Sequence, residues 1–245
     1  MAAQAEVLSR PIDRRMRERM FYSTMAFAIL IVIFVGFSRT FYLRPYFFPE
    51  RLIPLLILHG MIFSSWITLF VTQTALVATK KTSIHMKLGI ASLVIAPLML
   101  LVGTYTALVR AKGPSPIPGV NPLSFLTIPL GDMLIFGILF GAAYYYRKKL
   151  DTHKRLMLLA SIALLPAAVA RWPLNFIATG GPLVFYGLAD LFIVPCLIFD
   201  IITRGRPHRA TVLGGALIVV SHPLRLIIGG THAWLAFATW ATHWF

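Results

Sequence analysis

Within or beside long apolar stretches of this chain stand side chains that such stretches normally exclude: Arg39, His59, Asp132, Arg171, Asp190, His222 and Arg225. Burying each is costly, so each is a candidate for chemistry. Three chemistries fit the set. His59 and His222, facing one another, would ligate a b-type haem iron through neutral imidazoles, with Arg39, Arg171 and Arg225 pairing with the propionates. His85 and His153, near the start of two other apolar stretches, would hold a second haem and complete a path for electrons. In the second chemistry His59, His222, Asp132 and Asp190 bind a divalent metal, zinc or iron, whose open position activates water for a hydrolase. In the third the arginines bind a small anionic or lipid molecule, with the aspartates fixing their orientation. A structural reading stands beside all three. Asp132 and Asp190 would neutralise Arg171 and Arg225 as interhelical ion pairs, and single histidines would be hydrogen-bonded packing residues.

The elements that must position these groups follow from composition. The 245 residues are 58% hydrophobic and only 13% charged, with a mean hydropathy of +0.79, which is the profile of a polytopic membrane protein. A net charge of +15 would suggest nucleic acid for a soluble chain. Here the basic residues lie between apolar spans, the pattern that orients membrane proteins, so the bilayer is the expected partner and nucleic acid is not. The single cysteine, Cys196, lies in an apolar run and leaves no disulfide framework or CxxC motif. HExxH, GxSxG, P-loop and Gly-rich nucleotide motifs are absent. No hydrophilic domain is present, so a soluble or membrane redox partner would be a separate chain.

Seven segments reach the roughly 20 apolar residues a bilayer crossing needs, near 20–39, 53–78, 85–109, 124–146, 154–177, 183–203 and 210–230. None alternates like a barrel strand, which predicts an all-α, seven-transmembrane-helix bundle. The organisation expected is a basic segment over 1–19, a transmembrane domain over 20–230 and a Trp-rich interfacial helix over 231–245. The apolar run after the basic segment is too long for a signal-peptide core, so it is expected to remain as an anchor. Sixteen of the 23 Lys and Arg fall in the N-terminus and the 79–87, 147–155 and 204–209 turns. The positive-inside rule then puts the N-terminus in the cytoplasm and the C-terminus outside, in a bacterial inner membrane. At about 1.5 Å per residue, His59, Asp132, Arg171, Asp190, His222 and Arg225 share the outer third of the bilayer, with Arg39 at that level or slightly higher. Gln73, Asp200, His85 and His153 lie in the inner half.

One hairpin, 58–89, draws attention as the centre of the arrangement. His59, Trp66 and Gln73 are seven residues apart and share a helix face, and Gly89, Ser92, Ala96, Gly103 and Thr106 give the next helix a small, polar face. Lys80-Lys81-x3-His85 and Lys148-Lys149-x3-His153 occupy equivalent turns, each followed by a proline (Pro97, Pro166), as duplicated hairpins would. The pattern LHG-x2-F-x2-W-x3-F-x2-Q-T-x-L-V…H-x2-L-G over 58–89 resembles one in a group of uncharacterised bacterial multi-pass membrane proteins. The layered His59, His85, His153 and His222 give a looser resemblance to the cytochrome b561 and ferric-reductase type of haem membrane proteins. That likeness implies haems held at two levels by histidines of neighbouring helices. The helix number differs, and the paired histidines within one helix of the ferric reductases are missing.

Overall fold

The computed structural model describes residues 14–117 and 119–245; residues 1–13 of the expected basic segment lie outside the described part. The helices are α1 Arg14–Phe37, continued by a π-helical turn Ser38–Tyr42, α2 Pro54–Ala78, α3 Thr82–Gly89, α4 Ser92–Arg110, α5 Pro122–Phe125 and α6 Thr127–Tyr145. They are followed by α7 Leu150–Ile162, α8 Leu165–Val169, α9 Asn175–Asp190, α10 Ile193–Arg204, α11 Arg209–Gly229 and α12 His232–His243. Among the described residues there is no strand. Among the described residues seven units are long and apolar enough to cross a membrane: Arg14–Tyr42, Pro54–Ala78, Thr82–Arg110, Pro122–Tyr145, Leu150–Val169, Thr179–Arg204 and Arg209–Gly229. The chain is an all-helical, multi-pass membrane protein.

Local chemistry sets the boundaries. Proline opens α2 and α5, where its missing N–H costs nothing. Asn121, His208 and Thr231 cap α5, α11 and α12 with their side chains. Gly205, at φ 73°, closes α10 in the left-handed conformation that glycine adopts without strain. The fifth span ends at Val169 rather than near 177. Pro173 disfavours helix in the residue before it, and a turn through 170–174 intervenes. Gly180-Gly181-Pro182, expected as a connector, instead kinks α9, with Gly181 at φ 63°.

The 58–89 hairpin is not the hub. The most apolar window of the fifth span is 72% buried, against 22% for the second span and 17% for the third. The fifth span also has the lowest hydropathy of the seven, 1.2. A helix jacketed by protein needs no lipid-compatible surface, so it tolerates Asp151, His153, Lys154 and Arg155 in its first turns. Around it α1 lies along α8 and α2, α6 packs on α7, and α11 lies against α6 and α7.

Because lipid tails are as apolar as leucine, association of the spans depends on close packing. The small face of α4 serves that end: a Cβ on Gly103 would come within 2.5 Å of Met133 Sδ and 3.1 Å of Phe63 Cζ. At Gly36 the backbone of α1 meets that of α8 so closely that a Cβ would run into the Ala168 carbonyl. Trp66 is buried edge-on against Phe136 and Phe140, with ring centroids 5.0 and 5.6 Å away. The C-terminal α12 docks on α5, where Trp234 Nε1 donates to the Leu123 carbonyl at 2.8 Å.

Candidate functional site

The polar groups fall into two layers. One is at the basic end of the bundle, which carries Arg14 and the turns before α3, α7 and α11. The other is toward the opposite end. Along α6, Asp132 and Ala143 belong to different layers, which puts about 16 Å between them. Trp66, Phe136 and Phe140 lie between as an apolar plug.

In the opposite-end layer, α6, α9 and α11 converge. Arg225 Nη1 binds Asp132 Oδ1 directly, and Nη2 donates to Ser221 Oγ at 3.0 Å. Gly131 makes room for this, since a Cβ there would strike the guanidinium. His222 Nδ1 lies 3.2 Å from Asp190 Oδ2, and its ring stacks on Tyr186 with centroids 3.8 Å apart and planes at 13°. Tyr186 also faces Arg225, whose Cζ is 5.8 Å from the ring centre. Tyr186, His222, Arg225 and Asp132 are all buried. Four of the cluster's buried polar atoms have no partner: Tyr186 Oη, Asp190 Oδ1, His222 Nε2 and Arg225 Nε.

The expected opposition of His59 to His222 is not what brings these helices together. His59 stacks on Phe63 of its own helix at 4.1 Å, reaches the Val102 backbone of α4 and feels the charge of Arg171. Among the described residues no ring contact joins it to His222. His59, His222, Asp132 and Asp190 likewise do not gather: among the described residues no group of three or more His, Cys, Asp or Glu is placed to hold a metal ion. The carboxylates take up the nearest cations on the helices they pack against, and His59 faces the third span instead. The ion pairs are also reassigned. Of the two arginines expected to be neutralised, only Arg225 forms an ion pair among the described residues, with Asp132, while Asp190 pairs with His222. Arg171 is exposed, donates to the Ala167 carbonyl and lies 4.8 Å over the Phe37 ring. Arg39 lies exposed over Phe47. The three arginines therefore do not form one anion pocket, because Arg225 is committed to Asp132.

At the basic end Asp200 is a four-donor hub. It accepts from Arg155 Nε at 2.8 Å and from Arg155 Nη2, from the His208 N–H at 3.1 Å and from Thr211 Oγ1 at 2.5 Å. Arg155 and Asp200 are 3% and 1% exposed, so this is a buried, fully hydrogen-bonded pair tying the fifth, sixth and seventh spans. Asp151 adds bonds to Lys154 and Arg204, and Lys154 reaches Glu18 of α1 at 2.7 Å. Arg155 was one more basic turn residue in the sequence. The signal was its place one helical turn after Asp151, where it enters an apolar run. Tyr186 and Ser221 carried a similar signal, each one turn before Asp190 and Arg225.

His85 and His153 lie near the starts of α3 and α7, at the same end. Their turns are built alike: Lys81 and Lys149 precede the helices, and their carbonyls accept from the backbone N–H of His85 and His153 at 3.1 and 2.9 Å. His153 Nδ1 meets the Ala143 carbonyl at 2.8 Å. His85 reaches the Gln73 backbone, leaves Nδ1 buried without a partner, and is near enough to His153 to feel its charge. Comparison with family models, curated proteins and solved structures returned no match to this chain.

Proposed function

We propose that this chain is a membrane redox protein that holds a b-type haem at its basic end between His85 and His153, with that end facing the cytoplasm. The orientation rests on the sixteen basic residues gathered there. The observation that carries the haem reading is the pair of neighbouring imidazoles in matching turns. His85 Nδ1 is buried without a partner, and His153 Nδ1 is held by the Ala143 carbonyl at 2.8 Å. Second-shell acceptors orient metal-ligating histidines in this way. Lys80, Lys81, Lys148 and Lys149 flank the pair in sequence and would offer charge to the propionates. When bound, the haem supplies one-electron chemistry, with a membrane quinol or a separate partner chain as donor. The test is the absorption spectrum of protein purified from haem-replete cells. A Soret band is expected, lost in His85→Ala and His153→Ala and kept in His59→Ala; colourless wild-type protein would overturn the reading.

A second reading, capture of an anionic lipid headgroup, is favoured by Arg39 and Arg171. Both lie exposed near the end of the first span, stacked on Phe47 and Phe37. Arg171→Ala should weaken co-purification of anionic lipid. Undiminished lipid would leave the arginine a structural part.

A further inference from the structure

The geometry points to a proton-binding site at the Asp190–His222 pair, separate from the basic end and independent of any haem there. With His222 neutral, its Nδ1–H donates to Asp190 Oδ2 and its Nε2 lone pair is buried without a partner. An imidazole oriented by a carboxylate in this way can accept one proton, at Nε2, and become a cation beside that carboxylate. Charge balance supplies the reason for it to do so. The buried cluster holds two carboxylates, Asp132 and Asp190, against one guanidinium, Arg225. Asp132 and Arg225 satisfy each other, which leaves one negative charge for His222 to match. Net charge is expensive in a low-dielectric interior, and a proton on His222 removes it.

The groups facing His222 are Asp190 and Tyr186 of α9, Asp132 of α6, and Ser221 and Arg225 of its own α11. Arg171, after α8, reaches Asp132 electrostatically from the bundle surface, but among the described residues it forms no ion pair with Asp132 or Asp190. Two backbone features converge on the dyad. The sixth span breaks directly after Asp190, with tight turns in which the Phe192 N–H bonds to the Ala189 carbonyl and the Val194 N–H to the Leu191 carbonyl. Pro223 follows His222 and cannot donate to the helix behind it. Within a membrane such irregular backbone is tolerated where protein or a polar site takes up the released groups. Asp190 Oδ1 and His222 Nε2 are both buried without a partner, so the dyad keeps unused hydrogen-bonding capacity.

The experiment is ¹⁵N NMR of histidine-labelled protein in bilayers, with the His222 signal assigned by its loss in His222→Gln. Lowering the pH from about 8 to about 5, the range of imidazole titration, should convert His222 from neutral ring to imidazolium. Asp190→Asn should weaken proton binding about tenfold or more. Should that variant not fold, Asp190→Glu keeps the charge and should keep the titration. A His222 that stays neutral through the range, or an Asp190→Asn variant with unchanged proton affinity, overturns the proposal. A Soret band or its absence bears on neither result.

Discussion

Asp200→Ala offers the sharpest test of what holds the spans together. Asp200 is 1% exposed and takes four hydrogen bonds, two of them from Arg155, itself 3% exposed. Truncation leaves a guanidinium buried with only the Asp151 carbonyl (2.7 Å) and, 3.5 Å away, the Asp151 carboxylate to answer it. Removing one partner of a buried pair typically costs about 3–5 kcal/mol, because the other charge is stranded. At roughly 2–4 °C per kcal/mol for a chain of this size, the unfolding midpoint should fall by about 6–20 °C. The comparison that identifies the cause is the double variant Asp200→Leu with Arg155→Met. Exchanging both charges for apolar groups of similar volume is often neutral, so most of the lost stability should return. Glu18→Ala, which removes the partly exposed Lys154–Glu18 pair, should cost at most about 1 kcal/mol. The assay is thermal unfolding in a single detergent, followed by circular dichroism. A single variant within about 1 kcal/mol of wild type, or a double variant no better than the single, would refute the claim that this pair staples the three spans.

Two further outcomes follow from the same structure. Gly36→Ala pushes a methyl into the Ala168 carbonyl, a backbone atom that cannot rotate away, and should destabilise by about 1–3 kcal/mol in the same unfolding assay; an unchanged midpoint would mean α1 and α8 separate easily. His208, in the turn before α11, accepts the Ala210 N–H at Nδ1 and is held below the usual imidazole range by burial and by the charges of Arg155 and Arg204. The unfolded chain then binds the proton more readily than the folded one. The stability His208 contributes is whole above about pH 6.5 and is lost as pH falls from there toward the lowered value. His208→Asn keeps a capping oxygen that does not titrate, so it should flatten this part of the pH dependence of the midpoint. An equal slope in both proteins would place the pH sensitivity elsewhere.

Most of the architecture was legible because its causes are local. Runs of about 20 apolar residues, proline and glycine punctuation and basic turns each act within one turn of helix, and all seven spans form near where composition puts them. The errors came at places where one residue overrules a pattern: Pro173 stops the fifth span early, and Gly181 bends a helix where a connector was expected. The candidate site was legible as a set of residue types and depths, but not as pairs. Helix pitch gives the level of Asp132, Asp190, His222 and Arg225, because rise per residue is fixed. It does not give which helix is whose neighbour, and partnership depends on that.

The sequence by itself therefore determined an all-helical chain built to span a membrane seven times, with its ionisable groups sorted into two depths. Only tertiary structure decided that the polar fifth span is the hub and the 58–89 hairpin flanks it. Tertiary structure also matched Arg225 with Asp132, His222 with Asp190 and Arg155 with Asp200, and left Arg171 at the surface. The reason is that charges buried in an apolar medium must find partners within about 4 Å, and close packing of small residues such as Gly36, Gly103 and Gly131 sets which helices approach that near.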